Sequence, residues 1–153
     1  MDIQQQFIEA CKIGDFDKVK SLLFNENVNP ADDNNLAIQL TSLNGHFNIV
    51  ELLLKDTRVN PVDKENYALQ LASEKGHLNV IKLLLEHNRV YLDDDNAWAF
   101  KWASYNGYFN IVKLLLIDNR VNPADYDNLA IQLASQNGHF NVVKLLLEDN
   151  RGF

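Results

Sequence analysis

The sequence predicts an all-α fold, a solenoid of stacked helix–turn–helix units joined by short hairpin-like loops. Three repeating features carry this prediction. A run of three leucines occurs four times, and segments 29–56 and 122–149 are identical at 21 of 28 positions. Self-similarity at one short period is the signature of structural repeats that bury their apolar faces against their neighbours. The period is 31 residues, and it is marked by Gly14, Gly45, Gly76, Gly107 and Gly138.

The first helix of each unit is predicted over residues 36–43 of the first full copy. Asn34 or Asn35 is placed to cap its N-terminus, because an Asn side chain accepts a hydrogen bond from a free backbone amide there. Ala37 is small and lets a neighbouring helix come close. Gly45 ends the helix, since the residue after a helix C-terminus often takes a left-handed conformation that suits glycine best.

The second helix is predicted over residues 47–55, where apolar residues recur at helical spacing and form a wide stripe. The loop 56–66 follows. Pro61 prevents helix formation there, and the polar residues 63–66 form the loop tip. The stripe consists of Phe47, Ile49, Val50, Leu53 and Leu54.

The chain of 153 residues fits a single domain of such units. Residues 1–25 form a helix pair with no hairpin before it, and we predict that this pair is an N-terminal cap. One helix pair cannot bury both of its faces, so each unit must stack on the next. The full repeats are predicted at about 26–56, 57–87, 88–118 and 119–153.

The composition limits the kinds of partner. The net charge is −7 and the pI is near 4.9, which disfavours nucleic acid and anionic membranes because both require a basic surface. No apolar run approaches the roughly 20 residues of a membrane helix, and the N-terminus lacks signal-peptide character. Cys11 is the single cysteine, so we expect an intracellular, cytoplasmic setting and a buried, inert thiol. The compatible partner is a protein with a basic or neutral surface.

No grouping of catalytic, metal-binding or cofactor-binding residues is indicated. His46, His77 and His139 occupy one column of the repeat, so they are at least roughly 8–10 Å apart, whereas zinc ligands lie about 2 Å from a shared ion. We therefore expect these histidines to have a structural role beside the glycine turn. The acidic run 93–95 is predicted to be a solvated loop tip. We expect no cofactor and no enzymatic activity.

The repeated phrase carries a family resemblance. The pattern A-S-x-x-G-H-x-x-V-V-K-L-L-L at 134–147, and Arg-Val-Asn-Pro at 58–61, resemble the second half of an ankyrin repeat and its hairpin. Five units in one register extend the resemblance over nearly the whole chain. The repeat is shorter than the usual period of about 33 residues, and in this it resembles arrays of amoebae and the large viruses that infect them.

A second departure concerns the opening of the repeat. The family's Thr-Pro-Leu-His is replaced by Leu-Ala-Ile-Gln at 36–39. In the family that histidine ties neighbouring repeats together by hydrogen bonds. The resemblance therefore implies that Gln39, Gln70 and Gln132 take over this role, and that Lys101 fills it less well.

The resemblance also implies a non-enzymatic module that binds a protein partner along a concave groove lined by loop tips and first helices. The columns that vary most between the four full repeats fall at these same places, at the end of the first helix and at the loop tip. Together with Trp98, they make up the predicted partner-binding residues. These are Asp33, Asn34, Leu43, Lys64, Glu65, Glu74, Asp95, Asn96, Trp98, Tyr105, Tyr126, Asp127 and Gln136.

The third full repeat replaces aliphatic residues with aromatic ones. Phe100 and Trp102 share columns with Ile and Leu, so both are predicted to lie in the core and to overfill it. Trp98 is expected to be half-buried beneath the loop and Tyr105 to be exposed. These two are the predicted anchors, because aromatic side chains dominate the energetics of protein interfaces. The alternative is sequence drift within one repeat.

Two loop columns of opposite charge are unchanged in all four copies. We predict a repeated Arg–Asp pairing between loops rather than a contact with a ligand. The residues concerned are Arg58, Arg89, Arg120 and Arg151 with Asp32, Asp63, Asp94 and Asp125.

Two other functions compete with partner binding in the groove. The last repeat has no polar replacements on its outward side, so the chain is expected to self-associate, or to belong to a longer array, through an uncapped C-terminal repeat. Loop asparagines of ankyrin repeats are also targets of asparaginyl hydroxylase. The resemblance places Asn60 and Asn122 at that position, each eight residues after a leucine.

Overall fold

The computed structural model describes residues 1–87, 97–118, 121–149 and 151, and over these residues the chain forms ten α-helices and no β-strand. The all-α repeat fold predicted from the sequence is confirmed. The chain divides into two compact units, Met1–Tyr91 and Leu92–Phe153. The first contains α1 (Ile3–Ile13), α2 (Phe16–Leu23), α3 (Asp32–Leu43), α4 (Phe47–Leu54), α5 (Asp63–Lys75) and α6 (Leu78–Glu86). The second contains α7 (Ala97–Tyr105), α8 (Phe109–Ile117), α9 (Asp125–Gln136) and α10 (Phe140–Glu148).

Within each unit the helices form two layers. In the first unit α1, α3 and α5 pack side by side, and α2, α4 and α6 form the other layer. In the second unit α7 packs on α9, and α8 packs on α10. The small residue expected at the first-helix contact is buried in every full copy, as a close approach of neighbouring helices requires. The four residues are Ala37, Ala68, Ala99 and Ala130.

The two aromatic residues predicted for the core of the third full repeat have different environments. Phe100 is buried, as predicted. The prediction for Trp102 is wrong, because its side chain is only half-buried. Its column lies on the open side of the first helix, where Leu40, Leu71 and Leu133 are half-buried as well. Trp102 therefore does not overfill a closed core.

Three of the glycine turns, at Gly14, Gly45 and Gly107, contact a histidine of the next repeat along the chain. Gly45 has φ = 72°, the left-handed conformation expected after a helix. The imidazole of His77 lies against it, and a Cβ at Gly45 would be 2.6 Å from His77 Nδ1. His77 Nε2 is 3.0 Å from the carbonyl oxygen of Leu43, so this nitrogen donates the hydrogen bond. The predicted structural role of the histidine column is confirmed here, and His46 and His139 make the same contacts with the repeats before them.

The start of the first helix differs from the prediction. Helix α3 begins at Asp32, and Asp33, Asn34 and Asn35 have left-handed backbone conformations, with φ of 48°, 57° and 62°. Asp and Asn tolerate this conformation better than other residues with side chains. Neither asparagine caps the helix through its side chain. Gln39 Nε2 instead donates to the carbonyl oxygen of Asn34 at 2.6 Å, so Gln39 closes the turn of its own repeat and does not tie it to a neighbour.

The link between neighbouring repeats comes from Asn35. Its Oδ1 accepts a hydrogen bond from the Asn60 backbone amide at 2.7 Å, and its Nδ2 donates to Asp63 Oδ2 at 2.9 Å. We call this arrangement the carboxamide bridge. Gln4, one period earlier in the sequence, makes the equivalent link, because it both accepts from and donates to the backbone of Asn29. A side-chain amide therefore holds each of these hairpins to the helix before it.

The loop arginines have a different partner from the one predicted. Arg58 Nη2 pairs with Asp56 at 2.6 Å rather than with the Asp63 column. The same guanidinium donates to the carbonyl oxygens of Leu23 and Val28, which belong to the preceding repeat. In the second unit, Arg151 pairs with Asp149 and donates to preceding carbonyls in the same way. Arg89, Asp94 and Arg120 lie outside the described residues.

Two further sequence-level expectations concern Cys11 and the membrane. Cys11 is fully buried, and burial raises the pKa of its thiol to about 12. The inert thiol expected from the sequence agrees with this environment, because a protonated, inaccessible thiol is a poor nucleophile. Among the helices in the described part of the chain, none is long and apolar enough to cross a membrane.

Candidate partner-binding surface

Helix α7 has a closed face and an open face. Ala99, Phe100, Ala103 and Ser104 are buried. The residues between them recur at spacings of three and four, so they share the opposite face of the helix. We call this the open face of α7, and it consists of Trp98, Lys101, Trp102 and Tyr105.

The rings on this face contact one another and a tyrosine from α9. The Trp102 and Tyr105 centroids are 5.7 Å apart in an edge-to-face arrangement, and the Trp98 and Tyr126 centroids are 6.5 Å apart. Trp98, Tyr105 and Tyr126 are 39%, 41% and 60% exposed. Single exposed apolar residues are common, whereas a contiguous exposed group marks an interaction surface. Trp98, Trp102, Tyr105 and Tyr126 together are called the aromatic patch below.

Lys101 belongs to the same surface. Its Nζ lies 3.9 Å from the centroid of the Trp98 ring and 5.3 Å from that of Trp102. Both distances are within the range at which a ring face attracts an ammonium group. Beside this contact is a cleft of about 30 Å³ lined by Trp98, Lys101, Tyr126 and Leu129. It is walled almost entirely by apolar surface.

The equivalent faces of the other first helices are less aromatic. On α9, Leu129 and Leu133 are half-buried, and Gln132 and Gln136 are exposed. In the first unit, α3 carries half-buried Leu36, Leu40 and Leu43 at these positions with a buried Gln39. Helix α5 carries an exposed Tyr67 and half-buried Gln70, Leu71 and Glu74. The aromatic character is therefore concentrated in the second unit.

Most of the residues predicted to contact a partner have accessible side chains. Leu43 and Glu74 are half-buried. Asp95 and Asn96 lie outside the described residues, as do the side chains of Glu65 and Asp127. The exposed ones are Asp33, Asn34, Lys64, Trp98, Tyr105, Tyr126 and Gln136.

Sequence reasoning missed two residues of this surface. Trp102 was assigned to the core because its column is apolar in every copy, and Lys101 was read only as a poor replacement for Gln. The positions of Trp98, Lys101, Trp102 and Tyr105 relative to one another are the signal that identifies one helix face. The structure also shows that Tyr126 contacts Trp98. This contact joins α7 and α9, so the spacing of residues within one helix could not predict it.

The two loop asparagines predicted as modification sites are both exposed. The Oδ1 of Asn60 accepts a hydrogen bond from the Val62 amide at 3.3 Å, and the Oδ1 of Asn122 accepts one from the Ala124 amide at 3.1 Å. Both side chains therefore stabilise the turn that follows them.

Larger depressions on the other side of each unit arise from the repeat itself. One of about 280 Å³ is lined by Gly14, Gly45, His46 and Phe47, and one of about 260 Å³ by the equivalent residues of the second unit. Their lining residues occupy the same columns of the repeat, so both depressions are a consequence of repeat geometry. Within the part of the chain that the structure describes, no three His, Cys, Asp or Glu residues are grouped to hold a metal ion.

The outer face of the last helix pair is open. Leu147 is 59% exposed, whereas Leu116, its equivalent in the preceding repeat, is 9% exposed. A Cβ at Gly138 would meet nothing within 4 Å, whereas a Cβ at Gly14, Gly45 or Gly107 would meet a histidine ring. The Oδ1 of Asn128, in the column of Asn35, is buried and has no hydrogen-bond partner among the described residues.

Comparison with known families agrees with this architecture. The profile described as ankyrin repeats (3 copies) matches residues 7–96, 44–127 and 91–152. These overlapping matches span nearly the whole chain. A search of curated proteins found no match. The chain belongs to the ankyrin repeat family, whose members are generally non-enzymatic protein–protein interaction modules.

Proposed function

We propose that this chain binds a protein partner through the aromatic patch of its second unit. The observation that carries the proposal is a contiguous set of aromatic side chains on α7 and α9, three of them exposed and Trp102 half-buried, at positions where the other repeats carry other residues. The other full repeats fold with Leu or Tyr in the Trp98 column and with Leu in the Trp102 column. Exposed Trp and Tyr side chains are the residue types that most often dominate the free energy of protein association.

The contact of Tyr126 with Trp98 supports the same proposal. Tyr126 has φ = 52°, and its side chain is exposed. A left-handed conformation costs roughly 1–2 kcal/mol for a residue with a bulky side chain. Asp33, its equivalent in the first full repeat, belongs to a type that accepts this conformation more readily. Lys64, the equivalent residue of the second full repeat, is left-handed as well, with φ = 51°, so the turn sets this conformation. The contact with Trp98 is what distinguishes Tyr126.

The partner that this surface suits is neutral or basic overall. The net charge of −7 repels an acidic protein at long range and steers a basic one toward the chain. Asp33, Asn34, Leu43, Lys64 and Glu74 of the first unit, with Gln136 of α9, are proposed as further contacts.

Binding can be tested with two variants that remove similar amounts of aromatic surface. The first carries Trp98→Ala, Trp102→Ala and Tyr105→Ala. The matched control carries Phe109→Ala and Phe140→Ala, which remove exposed rings from α8 and α10. Proteins captured from the native cell by the unaltered chain are identified by mass spectrometry, and their affinities for all three proteins are then measured by titration.

We expect the patch variant to bind at least about tenfold more weakly, because hot-spot residues each contribute roughly 2 kcal/mol or more. The control variant should retain the affinity of the unaltered chain. A patch variant that keeps full affinity, or a control that loses as much, would contradict the proposed surface. Circular dichroism of both variants establishes that the helices are intact.

A second candidate function is self-association through the outer face of α9 and α10. The exposed Leu147 and the uncovered Gly138 favour it, because the equivalent Leu116 is buried and the equivalent Gly107 is covered by the ring of His139. Analytical ultracentrifugation over a wide concentration range tests it. We expect a dimer that Leu147→Asp dissociates. A monomer at every concentration would rule this candidate out.

Hydroxylation of Asn60 and Asn122 stays a prediction. Both side chains are exposed, so an enzyme can reach them. The unaltered chain and an Asn60→Ala, Asn122→Ala variant are incubated with an asparaginyl hydroxylase. The prediction requires a mass gain of one oxygen atom per modified asparagine in the unaltered chain alone. An unchanged mass of the unaltered chain rejects it.

A further inference from the structure

Among the described residues, Lys101 is a cation without a carboxylate partner. The equivalent residue in the other full repeats is Gln39, Gln70 or Gln132, so the positive charge is particular to the third repeat. Its Nζ lies over the Trp98 ring at 3.9 Å and near Trp102 at 5.3 Å. Among the side chains that the structure describes, no carboxylate forms an ion pair with it.

The environment of Lys101 leaves part of its ammonium group available. The ammonium carries three N–H donors, and ring faces attract it without accepting conventional hydrogen bonds from all of them. The side chain is half-buried, so it is neither solvated like a free surface lysine nor enclosed. A carboxylate is the group that best satisfies such donors, because charge-assisted hydrogen bonds are about twice as strong as neutral ones.

The cleft beside Lys101 suits an apolar group. It measures about 30 Å³ and is bordered by Trp98, Tyr126 and Leu129. This exceeds the roughly 10–15 Å³ of such space that one water molecule requires. A single methyl group therefore fits. An apolar wall gives a bound water few hydrogen-bond partners, so replacing such a water by a methyl group is favourable.

We infer that the aromatic patch recognises a protein segment that presents a carboxylate to Lys101 and places the methyl end of a neighbouring aliphatic side chain in this cleft. This inference rests on the proposed function and specifies the chemistry of the partner at one point. The partner is neutral or basic as a whole, which suits the net charge of the chain, and it carries one Asp or Glu at the point of contact. The overall charge of the partner then determines the long-range attraction, and its single Asp or Glu determines the contact with Lys101.

A cationic side chain is the competing occupant, because exposed Trp and Tyr rings attract cations and the chain is acidic. The position of Lys101 opposes it. The face of Trp98 is already covered by the Lys101 ammonium, and a second cation in the cleft would be repelled by it.

The test uses peptides selected from a displayed library of random short sequences. One arm selects on the unaltered chain, and a parallel arm on the Trp98→Ala, Trp102→Ala, Tyr105→Ala variant removes peptides that bind elsewhere. Selected peptides are synthesised with their Asp or Glu residues intact or replaced by Asn or Gln. Their Kd values are measured by calorimetry on the unaltered chain, on Lys101→Gln and on Lys101→Glu. Lys101→Gln introduces the residue that the other repeats carry, so it should fold.

Fluorescence supplies a readout of position. Trp98 and Trp102 are the two tryptophans of the chain. A peptide that binds the patch therefore changes the emission of the tryptophans, whereas a peptide bound elsewhere leaves it unchanged.

We expect selected peptides to contain an acidic residue close to an aliphatic one. Replacing the acidic residue, or Lys101 by Gln, should each weaken binding about tenfold, and the two changes together should cost little more than either alone. Lys101→Glu should weaken binding further. Peptides rich in Lys or Arg, binding unaffected by Lys101→Gln, or no peptide enriched over the patch variant would each overturn the inference. If the peptides depend on the tryptophans but not on Lys101, this inference fails while the proposed function stands. If natural partners bind the patch variant with full affinity, the proposed function itself fails.

Discussion

The imidazole of His77 lies so close to Gly45 that a Cβ on the glycine would be 2.6 Å from His77 Nδ1. The glycine is therefore required for two reasons. Its φ of 72° is unfavourable for residues with a Cβ, and the ring of the next repeat occupies the space where a side chain would lie. The glycine period of the sequence thus marks contacts between repeats as well as helix ends.

The chain offers a matched pair of glycines that separates these two requirements. Gly45→Ala places a Cβ in a left-handed conformation and against His77. Gly138→Ala also places a Cβ in a left-handed conformation, with φ = 74°, but no residue beyond its chain neighbours lies within 4 Å of it. We expect Gly138→Ala to lower the free energy of unfolding by roughly 1 kcal/mol, and Gly45→Ala by about 1–3 kcal/mol more, since the ring must move. Urea unfolding measures both. Equal losses would show that the ring contact contributes nothing.

The carboxamide bridge can be tested in the same way. Asn35→Ala removes the part-buried hydrogen bonds to the Asn60 amide and to Asp63, and it leaves the Asn60 N–H without this acceptor. Asn34→Ala is the control, because Asn34 is also left-handed but its side chain is exposed and outside the bridge. We expect Asn35→Ala to be less stable than the control by about 1–3 kcal/mol. Similar stabilities of the two variants would mean that the bridge does not hold the repeats together.

Replacing residues of α7 by those of the other repeats should lower stability on the buried face and weaken partner binding on the open face. Phe100→Ile shortens a buried side chain, and we expect it to cost roughly 1–2 kcal/mol of stability by leaving a cavity. The combination Trp98→Leu, Lys101→Gln and Trp102→Leu changes the open face, and stability should stay within about 1 kcal/mol while partner binding weakens. Melting curves and binding titrations on both variants decide this. If the combined variant binds the partner as tightly as the unaltered chain but has a much lower Tm, these residues stabilise the fold and do not bind the partner.

The ion pair of the last loop makes stability depend on pH. The hydrogen bond from Arg151 holds the pKa of Asp149 below its usual value of 3.8. Because the pKa is lower in the folded chain, the pair stabilises the fold above the unfolded value and loses this effect as the pH falls through the folded value. We expect the unaltered chain to melt above Asp149→Asn at neutral pH and this difference to shrink below about pH 4. A difference that grows toward acid would show that the sign is wrong.

The sequence alone determined the features that repeat or that depend on neighbouring residues. The 31-residue period, the left-handed glycines, the buried alanines and the burial of Phe100 could be predicted. Each of them depends on helix geometry, on the absence of a Cβ, or on a column that is apolar on a closed face.

The tertiary structure decided which apolar columns are open and which polar groups meet. A leucine column looks the same in sequence whether a neighbouring layer covers it or not, because folded proteins leave much apolar surface exposed; this is why Trp102 was assigned to the core. The bonds from Arg58 to the carbonyl oxygens of Leu23 and Val28, and the bridge of Asn35, join atoms that are 25 or more residues apart in sequence but within 3.2 Å in space. The cleft beside Lys101 likewise depends on folding, because Tyr126 and Leu129 of α9 border it together with Trp98 of α7.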